Sequence, residues 1–357
     1  MWQKKGRQDR GMKFDFVIGN PPYQDENVGE QEQYRPPVYH KFLEEAYNVA
    51  DVVEMIHPAR FLFNAGSTPK AWNKEMLCDE HLKVLYYEQD SSKVFSNTDI
   101  KGGVSVTYRN INKNYGAIDT FTAFPELNSI LKKVVVNNKN FKSFSDIIYG
   151  RNIYRFTNIM HKENPDAINK LSKGHAYDLS SNVFDRLSDI FFEKKPIDEN
   201  EYIQIFGRQN NERVYRYVRK DYIACTGDNL DKWKLFVPKA NGTGAIGEVL
   251  STPLIGAPLI GATETFISIG AFSNKEDASR ALLYVKTKFA RAMLGILKVT
   301  QDNTKDKWAK VPMQDFTEKS DIDWTKSVAD IDRQFYYKYG FSKEEIDFIE
   351  TNVKEMD

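Results

Sequence analysis

The chain has 357 residues, of which 41% are hydrophobic and 28% are charged. This composition is ordinary for a folded globular protein and argues against extensive disorder. The length exceeds the usual range of one hydrophobic core, so the sequence predicts two domains. The formal net charge is zero, so the overall charge does not by itself indicate a nucleic-acid partner.

The cysteine content and the apolar runs indicate the cellular setting. Cys78 and Cys225 are far apart and lack the spacing of a zinc site or a disulfide framework. No apolar run approaches the roughly 18 residues of a membrane-spanning helix, and the first residues do not form a secretion signal. The sequence therefore predicts a cytoplasmic protein with no membrane anchor and no metal.

The first third of the chain alternates strand-like and amphipathic segments. Segments 14–19 and 51–58 have the sequence of strands, and segments 39–50 and 74–88 alternate with them. Such alternation is typical of βαβ units around a mainly parallel sheet. A further strand pair is predicted over 102–111 and 116–124. This part of the sequence therefore indicates an α/β fold.

Asn20, Pro21, Pro22 and Tyr23 directly follow the first predicted strand. The two prolines remove backbone donors, fix φ and disfavour helix, which gives a stiff extended loop. The Asn20 amide and the Pro21 carbonyl are acceptors that could converge on one exocyclic amine, while Tyr23 offers a flat stacking face. These residues predict a site for a planar heterocycle with an amino group. A rigid turn with a surface tyrosine is the alternative.

The motif resembles the [DNS]-P-P-[YFW] signature of the methyltransferases that modify DNA adenine at N6, and the similarity spans roughly residues 12–125. It implies that the target adenine is flipped out of DNA and stacked on Tyr23, with its N6 bound by Asn20 and the Pro21 carbonyl. It also implies in-line methyl transfer from S-adenosyl-L-methionine. The catalytic residues would be Asn20, Pro21, Pro22 and Tyr23.

Beyond this region the chain changes to short aromatic and β-branched runs broken by Gly, Pro and Asn, which predicts a mixed α+β domain. One helix is predicted over 275–298 from its apolar periodicity. The last segment has the pattern of two short helices joined at Gly340, the second capped by Ser342. The sequence thus predicts a second domain at 140–315 and a helical tail at 316–357.

The second half resembles the target-recognition region and C-terminus of Eco57I-like type II restriction–modification enzymes. The similarity is carried by segments 232–248, 284–312 and 315–350. It implies a target-recognition domain that binds double-stranded DNA. The fold expected for the whole chain is therefore the C-terminal part of a Rossmann-like methyltransferase sheet, followed by a mixed α+β target-recognition domain.

The cofactor unit of this family lies upstream of the motif strand, whereas only thirteen residues precede Phe14. We therefore expect S-adenosyl-L-methionine to require a separate chain or a missing N-terminal segment, with this chain inactive alone and its strand 14–19 left at an exposed sheet edge. Cleavage is not expected, because the carboxylate and lysine pattern of a nuclease is not found. The alternative is a non-catalytic DNA-binding or specificity fragment.

The charge distribution is uneven. Residues 201–310 hold 17 Lys and Arg against 11 Asp and Glu, and residues 311–357 hold 6 against 12. Side chains within the basic block are candidates for phosphate contacts, with a solvated surface as the alternative for each. The candidates are Arg208, Arg213, Arg216, Lys232, Lys234 and Lys239. Three further cations, Lys286, Lys288 and Arg291, are predicted on the solvent side of the 275–298 helix.

Gly242, Gly244 and Gly247 match the spacing G-x-G-x-x-G. The dinucleotide fingerprint needs a helix that starts at the third glycine, and Pro253 and Pro258 interrupt the segment that follows. We therefore interpret the glycines as part of a flexible surface loop whose amides could approach a phosphate backbone.

Overall fold

The computed structural model describes residues 14–25, 36–96, 100, 102–298 and 300–356. The chain divides into two compact units, Met1–Asn128 and Ser129–Asp357. The first unit contains helices packed against a sheet, and the second combines small sheets with helices. The predicted mixture of strands and helices is confirmed. The boundaries at 125, 140 and 315 stay predictions.

The described part of the first unit is built on a four-stranded sheet of order β1-β2-β4-β3. β1 and β2 are parallel, whereas β4 runs antiparallel to both β2 and β3. Among the described strands, β1, β2 and β3 therefore run in the same direction, as expected for a mainly parallel sheet, and β4 is the antiparallel exception. Parallel neighbours need a long crossover, usually a helix, which the described residues between β3 and β4 do not form. The elements are β1 (Phe14–Gly19), α1 (Tyr39–Val49), β2 (Ala50–Pro58), α2 (Lys70–Cys78), β3 (Leu82–Glu88) and β4 (Val104–Asn110).

The strand predicted over 116–124 is not present. Gly116 and Asp119 adopt positive φ values of 74° and 56°, which interrupt an extended conformation. The Asp119 amide instead donates to the Leu77 carbonyl at the end of α2, at 2.8 Å. Phe121 packs against the apolar cluster of the unit. The segment therefore covers the core as an irregular chain.

The core of the first unit lies between the sheet and its helices. Leu43 of α1, Val53 of β2 and Trp72 of α2 are buried in one apolar cluster. These positions follow the helical and strand periodicities that the sequence shows. The cluster fixes α1 against β2 and so holds the carboxyl end of the sheet, where the motif lies.

The described residues of the second unit form three small sheets. Their orders are β11-β10-β13-β5, β12-β7-β8 and β6-β9. The longest pairing is the antiparallel hairpin of β7 and β8. The unit boundary falls within α3 (Pro125–Leu131). The strands are β5 (Ile148–Tyr149), β6 (Tyr154–Phe156), β7 (Tyr202–Gln209), β8 (Glu212–Arg219), β9 (Ile223–Cys225), β10 (Trp233–Pro238), β11 (Leu254–Gly256), β12 (Ile260–Ala262) and β13 (Phe266–Phe272).

The helices of the second unit are mostly short. The structure places two helices where the sequence predicts a single one over 275–298. The break falls at Thr287, whose ψ is 146° and whose hydroxyl caps the second helix by accepting from the Ala290 amide. The helices are α4 (Asn158–Glu163), α5 (Ala167–Lys170), α6 (Val183–Arg186), α7 (Lys275–Lys286), α8 (Lys288–Gly295), α9 (Val328–Lys338) and α10 (Lys343–Asn352).

The two C-terminal helices confirm the prediction made for the tail. α9 and α10 are joined at Gly340, which has a φ of +60°. Ser342 and Glu345 form a reciprocal capping box at the start of α10. Glu345 also pairs with Lys133 at 2.7 Å. None of the described helices has the length and apolar character needed to cross a membrane.

Asp332 of α9 stabilises the start of α8. Its carboxylate accepts from the Lys288 and Phe289 amides at 3.0 and 2.8 Å. We expect Asp332→Ala to lower the free energy of unfolding by about 1–3 kcal/mol, because two buried amides lose their acceptor. Urea unfolding checks this, with Asp347→Ala on the exposed face of α10 as the matched control. Equal losses in both variants would contradict the role of Asp332.

The same carboxylate predicts a pH dependence. Burial raises the pKa of Asp332 from 3.8 to about 6. The folded state therefore binds more protons than the unfolded state between these values, so this group favours folding less as the pH rises through them. The stability of the wild-type chain relative to Asp332→Asn should fall over that interval. A pH-independent difference in urea unfolding would contradict the expectation.

Candidate functional site

The motif begins where two parallel strands end together. In the β1–β2 register, Phe14 pairs with Ala50 and Gly19 pairs with Met55. Because parallel strands have their carboxyl ends at the same edge, Asn20 leaves β1 beside the last residues of β2. This edge is where open α/β sheets place their ligands.

The motif loop is held at its far end by the chain that leads into α1. The Asp25 amide donates to the Pro36 carbonyl at 3.0 Å, and the Val38 amide donates to the Tyr23 carbonyl at 3.1 Å. Pro21 is buried, whereas Asn20 is exposed. The loop therefore anchors its apolar ring and leaves the polar amide available.

Tyr23 is half-buried beside the apolar cluster of the first unit. Its ring lies edge-on to Phe95, with 6.5 Å between the centroids. Burial raises the pKa of Tyr23, and the Asn20 side chain acts in the opposite direction. The phenol therefore stays neutral near physiological pH, which suits a stacking face. Asn20, Pro21, Pro22 and Tyr23 thus form one rigid loop at the sheet edge.

A buried histidine behind this edge was not found by sequence reasoning. His57 of β2 contacts the Thr107 hydroxyl through Nε2 at 2.7 Å and the Pro58 carbonyl through Nδ1 at 3.1 Å. A carbonyl only accepts, so Nδ1 carries the proton. Burial lowers the pKa of His57 to about 4, and Tyr39 stacks on its ring. His57 is therefore a neutral group that fixes the end of β2, and no sequence signal separates it from an exposed histidine.

Residues 2–95 match the family model described as Eco57I restriction-modification methylase. The match contains the motif, β1, α1, β2, α2 and β3. The resemblance to a restriction–modification methylase is thereby confirmed for this segment. Residues 96–357 lie outside the match.

The chain spans about half the length of the solved structures it resembles. One is the type IIG restriction endonuclease BpuSI, with 12% identity over 89% of this chain and 48% of that one, at a TM-score of 0.30. Another is the type IIL restriction-modification enzyme MmeI in complex with DNA, with 9% identity over 94% and 56% of the two chains and a TM-score of 0.32. No curated protein matches the chain. Residue roles do not follow from similarities this weak.

Three of the six candidate DNA contacts come together in the second unit. Arg208 of β7, Arg213 of β8 and Lys239, which follows β10, line one cavity of about 430 Å³. Lys232 is exposed and does not line that cavity. Arg216 is half-buried and donates to Gln209 and Glu193 at 2.6 and 3.3 Å. The candidates therefore differ in their exposure and in their existing hydrogen bonds, and so in their ability to contact a phosphate.

Lys234 does not lie on the surface. Its ammonium is fully buried and donates to the carbonyls of Leu230, Ala257 and Ile260 at 3.0 to 3.1 Å. Burial lowers the pKa of Lys234 to about 8. Lys234 thus joins the turn before β10 to the segment 257–260, and its buried ammonium has no route to a DNA phosphate.

The prediction that Arg291 faces solvent is wrong. Arg291 is 2% exposed, and its guanidinium donates to the carbonyls of Gly247, Glu248 and Lys354, among others. Hydrogen bonds to the main chain compensate for the cost of burying this charge. Lys288 is half-buried and pairs with Glu350 at 2.5 Å.

The glycine-rich loop already binds a carboxylate of this chain. Glu248 accepts from the Thr243 and Gly244 amides at 2.8 and 3.1 Å and pairs with Lys298 at 3.2 Å. Burial opposes ionisation of Glu248, but these hydrogen bonds prevail and hold its pKa at about 2. Two of the loop amides that could approach a phosphate are therefore occupied by Glu248.

Lys234 and Lys232 allow a test that separates a structural lysine from a surface lysine. We expect Lys234→Met to lower the free energy of unfolding by about 1–3 kcal/mol, since buried carbonyls lose their donor. Lys232→Met, two residues earlier and exposed, should change it by less than about 0.5 kcal/mol. Urea unfolding measures both. A stable Lys234→Met variant with weakened DNA binding would contradict the assignment.

Proposed function

We propose that this chain supplies base binding and DNA recognition for N6-adenine DNA methylation in a restriction–modification system. The observation that carries the proposal is the Asn20–Tyr23 loop, held rigid at the carboxyl edge of the β1–β2 pair. The loop lies inside the segment that matches a restriction-modification methylase family. The transferred methyl group would come from S-adenosyl-L-methionine.

The chemistry of the loop suits an adenine amine. The adenine N6 group offers two hydrogens, and the Asn20 amide oxygen and the Pro21 carbonyl are two acceptors on adjacent residues. Accepting both hydrogens draws the N6 lone pair out of conjugation with the ring, so that it becomes nucleophilic. Tyr23 would stack on the flipped base and hold it in place. These residues position the base. This role does not require a proton-transferring residue with a shifted pKa.

The described residues do not provide a recognisable site for S-adenosyl-L-methionine. The glycine-rich segment at 242–247 is the nearest sequence match to a cofactor loop, and two of its amides bind Glu248. We therefore assign cofactor binding to a separate chain or to an N-terminal segment beyond this one.

The edge of the sheet supports this assignment. β1 is the last strand in the order of the described sheet, so its outer backbone groups have no partner strand there. Phe14, Phe16 and Ile18 alternate along β1 on one face and are 50%, 46% and 71% exposed. Apolar side chains on an open edge strand are the features that a partner strand and a covering helix would bury.

The base-binding role predicts a preference for adenine. Short single-stranded oligonucleotides of adenine alone should bind more tightly than those of thymine alone, as measured by fluorescence anisotropy. Tyr23→Ala and Asn20→Ala should each remove this preference, because stacking and N6 recognition contribute about 1–3 kcal/mol. Tyr86→Ala, on an exposed side chain of β3, is the control. Equal affinities of the wild-type chain for both oligonucleotides would argue against the site.

Cofactor binding separates an enzyme part from a non-catalytic specificity fragment. Calorimetric titration of S-adenosyl-L-methionine into the chain should give no heat, while duplex DNA still binds. Saturable cofactor binding would show that the described residues form a site after all and would overturn the assignment to another segment. If DNA binds but the adenine preference is absent, the non-catalytic fragment is the better account.

A further inference from the structure

The β7–β8 hairpin places two arginines side by side. Arg208 and Arg213 are directly opposite in the antiparallel register. Asn210 and Asn211 form the turn between them with φ values of 51° and 64°, as in a tight two-residue hairpin. Residues directly opposite on a hairpin point to the same face, where like charges destabilise the pair. The hairpin therefore holds an unfavourable concentration of positive charge.

Acidic side chains do not relieve this charge. Among the described residues, neither Arg208 nor Arg213 forms an ion pair; Arg208 donates to the Asn211 carbonyl at 3.2 Å. Burial lowers the pKa of Arg213, and the charge of Arg208 adds to that effect. The two guanidiniums thus repel each other, and no ion pair with a described residue neutralises either charge.

The guanidinium of Arg213 is fixed in direction. It donates to the carbonyls of Ser251 and Thr252, each at 2.6 Å, and lies 5.6 Å from the centre of the Phe266 ring. Thr252 has a φ of 39°, an unusual conformation for a β-branched residue. Strained backbone of this kind persists where the surroundings hold it, often beside binding sites. The cation is therefore preorganised.

A third cation shares the cavity. Lys239 lines the same space as the arginine pair, and its side chain makes no ion pair with any described residue. Glu264 also lines the cavity but pairs with Arg151 at 3.8 Å. Ser181 and Thr265 add polar groups to the wall. Among the described residues, the cavity is thus lined by three cations and one carboxylate, Glu264, which already pairs with Arg151.

We propose that the cavity between Arg208, Arg213 and Lys239 binds one phosphate group of the DNA backbone. This inference rests on the proposed function and gives it a location. A guanidinium pair with a nearby ammonium matches the charge and the several acceptor oxygens of a phosphate. The volume of about 430 Å³ admits a phosphate together with part of its sugar. The contact sets the position of the hairpin on DNA and does not read the base sequence.

The test uses Arg208→Glu, because a carboxylate opposite Arg213 would replace the phosphate with an internal ion pair. We expect this variant to be as stable as the wild-type chain or more so, since the like-charge pair becomes an opposite-charge pair. Its affinity for duplex DNA should fall roughly tenfold, and the slope of log affinity against log salt should decrease by about 1. A general loss of structure would lower stability and binding together.

Two control variants refine the result. Arg208→Gln should weaken DNA binding less than Arg208→Glu, because it removes one positive charge without adding a negative one. Lys194→Gln, an exposed lysine outside the cavity, should leave the affinity within about twofold. DNA binding that is unchanged in Arg208→Glu, or equally reduced in Lys194→Gln, would overturn the proposal.

A second measurement does not depend on DNA binding. Inorganic phosphate should raise the Tm of the wild-type chain above its value in sodium chloride of equal ionic strength, and this difference should be smaller in Arg208→Glu. If phosphate acts but Arg208→Glu binds DNA normally, the cavity takes free phosphate and the assignment to the DNA backbone is overturned. If the wild-type chain binds no DNA, the proposed function fails, whereas the phosphate difference still reports on the cavity. If phosphate raises the Tm of both chains equally, the proposed phosphate site in the cavity is overturned.

Discussion

Buried cations that bind main-chain carbonyl oxygens hold the second unit together. Short strands and long irregular connections leave many carbonyls without a ladder partner, and each such group costs about 1–3 kcal/mol when buried unsatisfied. Lys234 joins the turn before β10 to the segment 257–260, and Arg291 joins α8 to the chain at 247–248 and at Lys354. Lys298 does the same for the Asn241 and Thr300 carbonyls. Part of the basic block at 201–310 is therefore buried and stabilises the fold.

The sequence predicted the parts of the fold that local patterns determine. Periodicity placed β1, α1 and β2, and the proline pair identified the rigid loop at Asn20. It did not reveal the antiparallel pairing of β4, which depends on contacts between distant segments. The break at Thr287 was missed although the Thr287 hydroxyl is a local cap, because the carboxylate that accepts from the Lys288 and Phe289 amides comes from Asp332, far along the chain.

The candidate DNA contacts show where residue type stops being informative. Lys232 and Lys234 are two residues apart and of the same type, yet one is exposed and the other buried, because β10 begins between them. The meeting of Arg208 and Arg213 follows from the hairpin register, and Lys239 reaches them from a separate sheet. Only tertiary structure separates a lysine that fills the interior from cations that share a cavity.

The contact between Arg291 and Lys354 has a practical consequence for work on this protein. Val353 is 2% exposed, and the Lys354 amide donates to the Gly247 carbonyl, so the Val353 side chain and the main chain at Lys354 are bound to the folded unit. Shortened versions that stop before Val353 would uncover the guanidinium of Arg291 and one side of the 242–247 loop. Truncation for crystallisation, or replacement of these residues by an affinity tag, would therefore destabilise the 242–247 loop and the contacts of Arg291, which are far away in sequence. Additions are better placed after Lys354.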